Sequence, residues 1–139
     1  MPNVDSDGFC LARCAHDRLV RSVAAHYRNA GYEVRAALRG WPQPGIYLGW
    51  KPDVEAVKNG ESRRKRLLVE VERAESLYLP HTRKQLGTMF RCVGQRLGRC
   101  KLVVETSEAS LGKAALRHMG LARRISLASV DPWPAGIYG

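Results

Sequence analysis

The sequence predicts an α/β fold, a mixed β-sheet flanked by helices, on three observations. An amphipathic helix opens the chain, three strand-like segments follow in hairpin order, and two further strands are each reached through a helix. The predicted order is α-β-β-β-α-β-α-β. Hairpin-linked strands pair antiparallel, whereas helix-linked strands pair parallel, and together they make one mixed sheet.

Each element has its own signal. Leu11, Ala15, Leu19, Val23 and Tyr27 recur every four residues between Phe9 and Asn29, with Ala12 and Ala24 widening the stripe, so this span reads as a helix. Gly31 ends it, and Tyr32 to Leu38 reads as a strand. "RGWPQPGIYLGW" carries two prolines and three glycines, which makes it a loop or irregular hairpin arm. Asp53 to Lys58 and Arg66 to Arg73 read as strands joined by "NGES", whose Asn-Gly pair signals a tight hairpin. Pro80 suits the first turn of a helix running to about Leu97. "CKLVVET" has a continuous apolar centre and reads as a buried strand. "SEASLGKAALRHMG" reads as a helix with Ser107 as N-cap and Gly120 at its end. "ARRISLASV" is the last short strand, and residues 1–8 and 131–139 read as irregular tails. Residues 1–139 suit one domain, long enough to bury a core.

The chain is strongly basic. It has 23 Lys and Arg against 13 Asp and Glu, a formal charge of +10, and 17 of the 23 are arginine. Arginine binds phosphate bidentately and stacks on bases, so the excess favours nucleic acid as a partner. There is no apolar run of membrane-spanning length and no aromatic-rich basic amphipathic helix, which argues against a membrane. The acidic start "MPNVDSDGFCLARC" does not resemble a signal peptide. A cytoplasmic location with reduced cysteines is therefore expected.

Against this basic background, "KPDVEAVKNGESRRKRLLVEVERAES" places acids inside apolar strands. Alternation in "RLLVEVER" puts Leu67, Val69 and Val71 on one face and Leu68, Glu70 and Glu72 on the other. The two glutamates then project side by side, about 7 Å apart along the backbone. Like charges there repel, and partial burial raises the cost. A divalent cation removes the repulsion, because hard cations take carboxylate oxygens. The hairpin brings Asp53 close to Glu70. For an isolated E-x-E pair, the solvated face of an edge strand is the simpler reading. Pro-Asp, a hairpin, three apolar residues, E-x-E and a helix in succession shift the balance.

That succession, carried by Pro52-Asp53 and Glu70-Val71-Glu72, resembles the PD-(D/E)xK nuclease superfamily over most of the chain. The resemblance implies a restriction-endonuclease-like fold and hydrolysis of DNA phosphodiester bonds with Mg2+ or Mn2+, by endonuclease or exonuclease action. It implies Asp53, Glu70 and the Val71 carbonyl as metal ligands. Glu72 stands at the superfamily's lysine position, as in its E-x-E members, and would take a proton from water or hold a second ion. Lys84, on the following helix, is the candidate for a relocated lysine, and Lys84 or Gln85 would orient the water or stabilise developing charge. Gln85-x-x-x-x-Phe90 is similar to the glutamine-containing helix of RecB-like nucleases. The size, basicity and helix-first order resemble archaeal-type Holliday junction resolvases, whose first helix supplies a glutamate; here that helix offers only His16 and Asp17. The implied partner is DNA, including branched or single-stranded forms, and a homodimer would suit double-strand cleavage. The rivals are a non-catalytic DNA-binding or structural protein on the same fold, and a nuclease that cleaves RNA.

The remaining candidates carry two readings each. Arg63, Arg64, Lys65 and Arg66 could contact phosphate or be solvated charge. Arg73 could pair with a carboxylate or reach the scissile phosphate, and Arg83 and Lys84 add basic groups on the helix. The cysteines at 10, 14, 92 and 100 do not match zinc or iron–sulfur spacings, and Cys14 and Cys92, on helices, read as small buried residues. His81 reads as a surface residue. Trp41, Trp50 and Trp133 could be core plugs or stacking platforms.

Overall fold

A computed structural model of the chain describes the backbone of residues 4–132 and 135–138 and the side chains of residues 14–62 and 64–131. The architecture is a six-stranded sheet in sequential order with helices on both faces. The elements are α1 (Val4–Asn29), β1 (Tyr32–Ala36), β2 (Val54–Lys58), β3 (Leu67–Val71), α2 (Pro80–Gly94), β4 (Arg99–Glu105), α3 (Ala109–His118), β5 (Ile125–Pro132) and β6 (Ala135–Tyr138). β1, β2 and β3 pair antiparallel, β3, β4 and β5 pair parallel, and β6 returns antiparallel to β5.

Both expected tails carry regular structure: α1 begins at Val4, and β5 runs through to Pro132 before β6. The alternation "SVDP" continues the β5 ladder, and "AGIY" pairs back on it, a hairpin that the prolines and glycines of the last residues obscure. The "NGES" connection is also longer than a two-residue hairpin. Gly60 alone takes a positive φ (+84°), Glu61 N–H donates to Lys58 O at 3.0 Å, and a 3-10 turn (Arg63–Lys65) follows. A primed hairpin turn of type I′ needs both central residues at positive φ, and Asn59 stays out of that region. Ser107 does not cap α3. A 3-10 turn (Thr106–Glu108) precedes the helix, and Glu108 Oε1 instead accepts from Ala74 N at 3.2 Å.

Strand alternation divides the core. Leu67, Val69 and Val71 join Leu19, Val20, Val23 and Tyr27 of α1 on one face. Leu68 joins Leu86, Met89 and Cys92 of α2 and Leu116 of α3 on the other, together with Trp50. β3 is therefore buried on both faces, and all five of its residues are buried, Glu70 included. Cys92 and Cys100 fill the α2–β4 side of the core, as small apolar groups do; burial pushes the Cys100 thiol up to about 12. Cys14 is exposed, and Cys10 and Trp133 lie outside the described side chains. Among the described residues no helix is long and apolar enough to cross a membrane.

Leu68 is fully buried in the strand that carries Glu70. Truncation to alanine removes its transfer energy and leaves a cavity between β3 and the helices. Leu68→Ala is expected to cost about 2–5 kcal/mol by urea denaturation, with an unchanged slope.

Candidate active site

The β2–β3 register brings the acids together. Val54 lies opposite Val69 and Glu55 opposite Leu68, so the next step places Asp53 beside Glu70. Asp53 N–H donates to Val69 O at 2.9 Å, and the Asp53 carboxylate accepts from Val71 N–H at 2.8 Å. The aspartate thus bridges the two strands at the C-terminal end of β3. Glu70 is 4% exposed, and Trp50 Nε1–H donates to its Oε1 at 3.1 Å. Trp50 is held there by a tight turn in which Tyr47 and Trp50 exchange both backbone hydrogen bonds (2.7 and 2.9 Å). Of the two readings for Trp50, it is a core plug, with its ring nitrogen on the acid. Trp41 is half-buried under the Arg28 guanidinium, 4.6 Å from the ring centre.

Glu72 lies at the same end of the sheet but is held differently. Ser76 Oγ–H donates to its Oε2 at 2.9 Å, and Thr82 Oγ1–H donates to its Oε1 at 3.1 Å. Both oxygens are thereby fixed, the second against the first turn of α2. Burial pushes the Glu72 carboxyl up, and the two hydroxyl donors hold it back.

His16, named in the sequence only as one of two polar groups on the first helix, reaches from α1 to the end of β3. Its Nε2–H donates to Val71 O at 3.0 Å, and Nε2 lies 3.4 Å from Asp53 Oδ2. These are two of the oxygens expected to hold a metal. The imidazole is pushed up from 6.5 to about 9, chiefly by its hydrogen bond to Asp53 and against partial burial. Nothing local in the sequence signals this contact, because His16 and Val71 are 55 residues apart and only the packing of α1 joins them.

The balance of charge is unequal. Among the described residues no lysine or arginine pairs with Asp53, Glu70 or Glu72, and the His16 imidazolium is the only cation in contact with them. Burial, then the charges of Asp53 and Glu72, push the Glu70 carboxyl well above the ordinary carboxylate range, and Trp50 only partly offsets this. The donors here, two carboxylates and the Val71 carbonyl, are the oxygen set that Mg2+ or Mn2+ favours. The charge deficit and donor chemistry fit such an ion. The side chains are not gathered around one point: among the described residues no three His, Cys, Asp or Glu groups are arranged to hold a metal. An ion at Val71 O would have to displace the His16 Nε2 proton.

The basic candidates divide. Lys84 and Gln85 line a groove of about 460 Å³ with Trp50, Lys51, His81 and Arg91. Its wall, Trp50, is the residue that touches Glu70. Arg64 and Lys65 are exposed but lie in the 3-10 turn that precedes β3, at the opposite end of that strand from Glu70. The Arg63 side chain lies outside the described residues. Arg66 does not project as solvated charge: it lies 3.5 Å from Glu55, hydrogen-bonds the Tyr47 hydroxyl and sits over that ring. Arg73 takes the carboxylate reading, with Glu75 at 3.1 Å rather than an acid of the cluster. Arg83 faces a separate cleft with Gly87 and His118, away from Lys84. Comparison with known protein families finds no matching family model, and comparison with curated protein sequences finds no match.

Three outcomes are expected of the metal-free protein. His16 should titrate by NMR with a midpoint near 9, and Asp53→Asn should return it toward 6.5. A midpoint that ignores Asp53→Asn would contradict the contact. Both His16 and Glu70 have raised folded values, so each contributes stability at low pH that is lost as pH rises through that value. Stability in chelator should therefore fall between pH 6.5 and 9. Glu70→Gln keeps an acceptor for Trp50 and removes the buried titratable group, so the part of the stability–pH dependence that Glu70 contributes should disappear in thermal denaturation.

Proposed function

We propose that the chain is a metal-dependent nuclease on a restriction-endonuclease-like fold, hydrolysing DNA phosphodiester bonds. The observation that carries this reading is the buried Glu70 carboxylate against Asp53, short of positive charge at the end of a central strand. Asp53, Glu70 and the Val71 carbonyl would hold Mg2+ or Mn2+. The ion supplies a Lewis acid for a phosphoryl oxygen and lowers the pKa of bound water.

The chain's own groups then have separate tasks. Glu72 accepts a proton from the attacking water. Its raised pKa brings it nearer the operating pH, and Ser76 and Thr82 fix its direction. Lys84, whose ammonium has no ion-pair partner among the described residues, faces the groove beside Trp50 and stabilises charge on the phosphate. His16 neutralises part of the cluster until the ion replaces it.

One observation favours a second reading, a DNA-binding protein on the same fold without catalysis. The His16 imidazolium already contacts two of the expected metal ligands, and Glu72 is fully hydrogen-bonded. Cleavage assays on linear, single-stranded, branched and RNA substrates with Mg2+ or Mn2+ separate the two readings and settle the sugar. Under the nuclease reading Asp53→Ala and Glu70→Ala abolish cleavage and leave DNA affinity equal or higher. Lys84→Ala costs about 10²–10³ in rate if it is the charge-stabilising group. Glu72→Lys retains activity if the position only activates water and loses it if Glu72 binds a second ion. No cleavage of any substrate by the wild-type protein gives the second reading.

A further inference from the structure

We propose that the groove between the Tyr47–Trp50 turn and α2 seats an unpaired nucleotide, so that the protein engages single-stranded or extruded nucleic acid in preference to intact duplex. This rests on the nucleic-acid reading above and specifies the form of the substrate. The groove is concave, and its lining includes Lys51, Lys84 and Arg91 with His81, and no acid. Lys84 and Arg91 form no ion pair among the described residues; Lys51 donates only to Gln43 Oε1, at 2.7 Å. These are phosphate-binding groups.

The second observation is Gln85. Its Oε1 is buried and has no hydrogen-bond partner, which is costly for a polar atom. Gln85 is half-buried and lines the same groove. A turn of its amide toward the groove would bring the oxygen to a donor there, and every nucleobase carries N–H donors on its pairing edge. In a duplex those donors are already used. Reading a duplex base from its groove edge requires a protruding protein element. Gln85 is recessed, so the base has to come to it, out of the stack.

The third observation is the lip. Leu48 is a non-glycine residue at φ +53°, next to Gly49 at +81°, and its side chain is 43% exposed. A left-handed leucine is disfavoured, and such strain gathers at binding sites. The turn sets an apolar edge beside the cations, and an unstacked base has an apolar face to lay against it. Trp50 forms the floor and carries Glu70 on its ring nitrogen, so the seat adjoins the acidic cluster.

The test is fluorescence anisotropy in EDTA at low salt, with a labelled 12-nucleotide single strand and the blunt duplex of the same sequence. Full-length wild type, Lys51→Ala/Arg91→Ala and Gln85→Leu are compared, each checked for folding by circular dichroism. The expected result is tighter binding of the single strand. The double variant should lose about tenfold or more for the single strand and under about threefold for the duplex. Gln85→Leu should weaken single-strand binding or alter the preference among homopolymers. Equal affinity for both forms, or a double variant that loses both equally, overturns the proposal. Because no metal is present, the nuclease reading does not enter. Selective single-strand binding by a protein that cleaves nothing leaves the seat standing and removes catalysis. Cleavage that Lys51→Ala/Arg91→Ala does not touch, with equal binding of both forms, does the reverse.

Discussion

The arrangement around β3 depends on one unfavourable placement, a carboxyl group buried at Glu70 beside Asp53, where burial and the neighbouring acids oppose its ionisation. A stability-driven sequence would place an apolar residue there, as it does at Leu68, Val69 and Val71. Everything nearby reads as support for that exception. Trp50 gives Glu70 one ring N–H, the Val71 N–H orients Asp53, and His16 brings positive charge to Asp53 from a helix on the opposite face of the sheet. None of these puts a counter-ion on Glu70 itself. A site that stays electrostatically unsatisfied in isolation is suited to receiving a cation or a proton.

The third acid differs in kind. Glu72 has its charge compensated locally by Ser76, Thr82 and the start of α2, where the helix dipole favours an anion. It ties α2 to the end of β3. This places the groove-facing side of α2, with Lys84 and Gln85, alongside Trp50. Removing Glu72 therefore disturbs the position of α2 as well as any chemistry, just as removing Asp53 loosens the link between β2 and β3 and removing Glu70 frees the Trp50 ring nitrogen.

Much of this was legible in the sequence. The alternation of "LLVEVE" placed Leu68, Glu70 and Glu72 on one face, and antiparallel pairing of β2 with β3 placed Asp53 against Glu70. These are local rules of strand period and register. Long-range relations were not legible. His16 meets Val71 through the docking of α1, and Trp50 meets Glu70 through a left-handed turn that includes a leucine, which no propensity rule favours. Charge runs misled for the same reason. "RRKR" is the densest basic stretch, yet it precedes β3 and so lies at the far end of the strand from the acids. The cations beside the site, Lys51, Lys84 and Arg91, are scattered singly along the chain.

The divalent cation proposed for the Asp53–Glu70 pair is open to a direct test. Paramagnetic Mn2+ tests it most directly, by NMR titration of the wild-type protein. With the ion at this pair, the His16 ring protons and the Trp50 indole N–H broaden first, below one equivalent, while the Trp41 indole stays sharp. Glu70→Gln removes the effect. Uniform behaviour of all three signals up to millimolar Mn2+ would contradict it, and would leave His16 as the cluster's permanent cation.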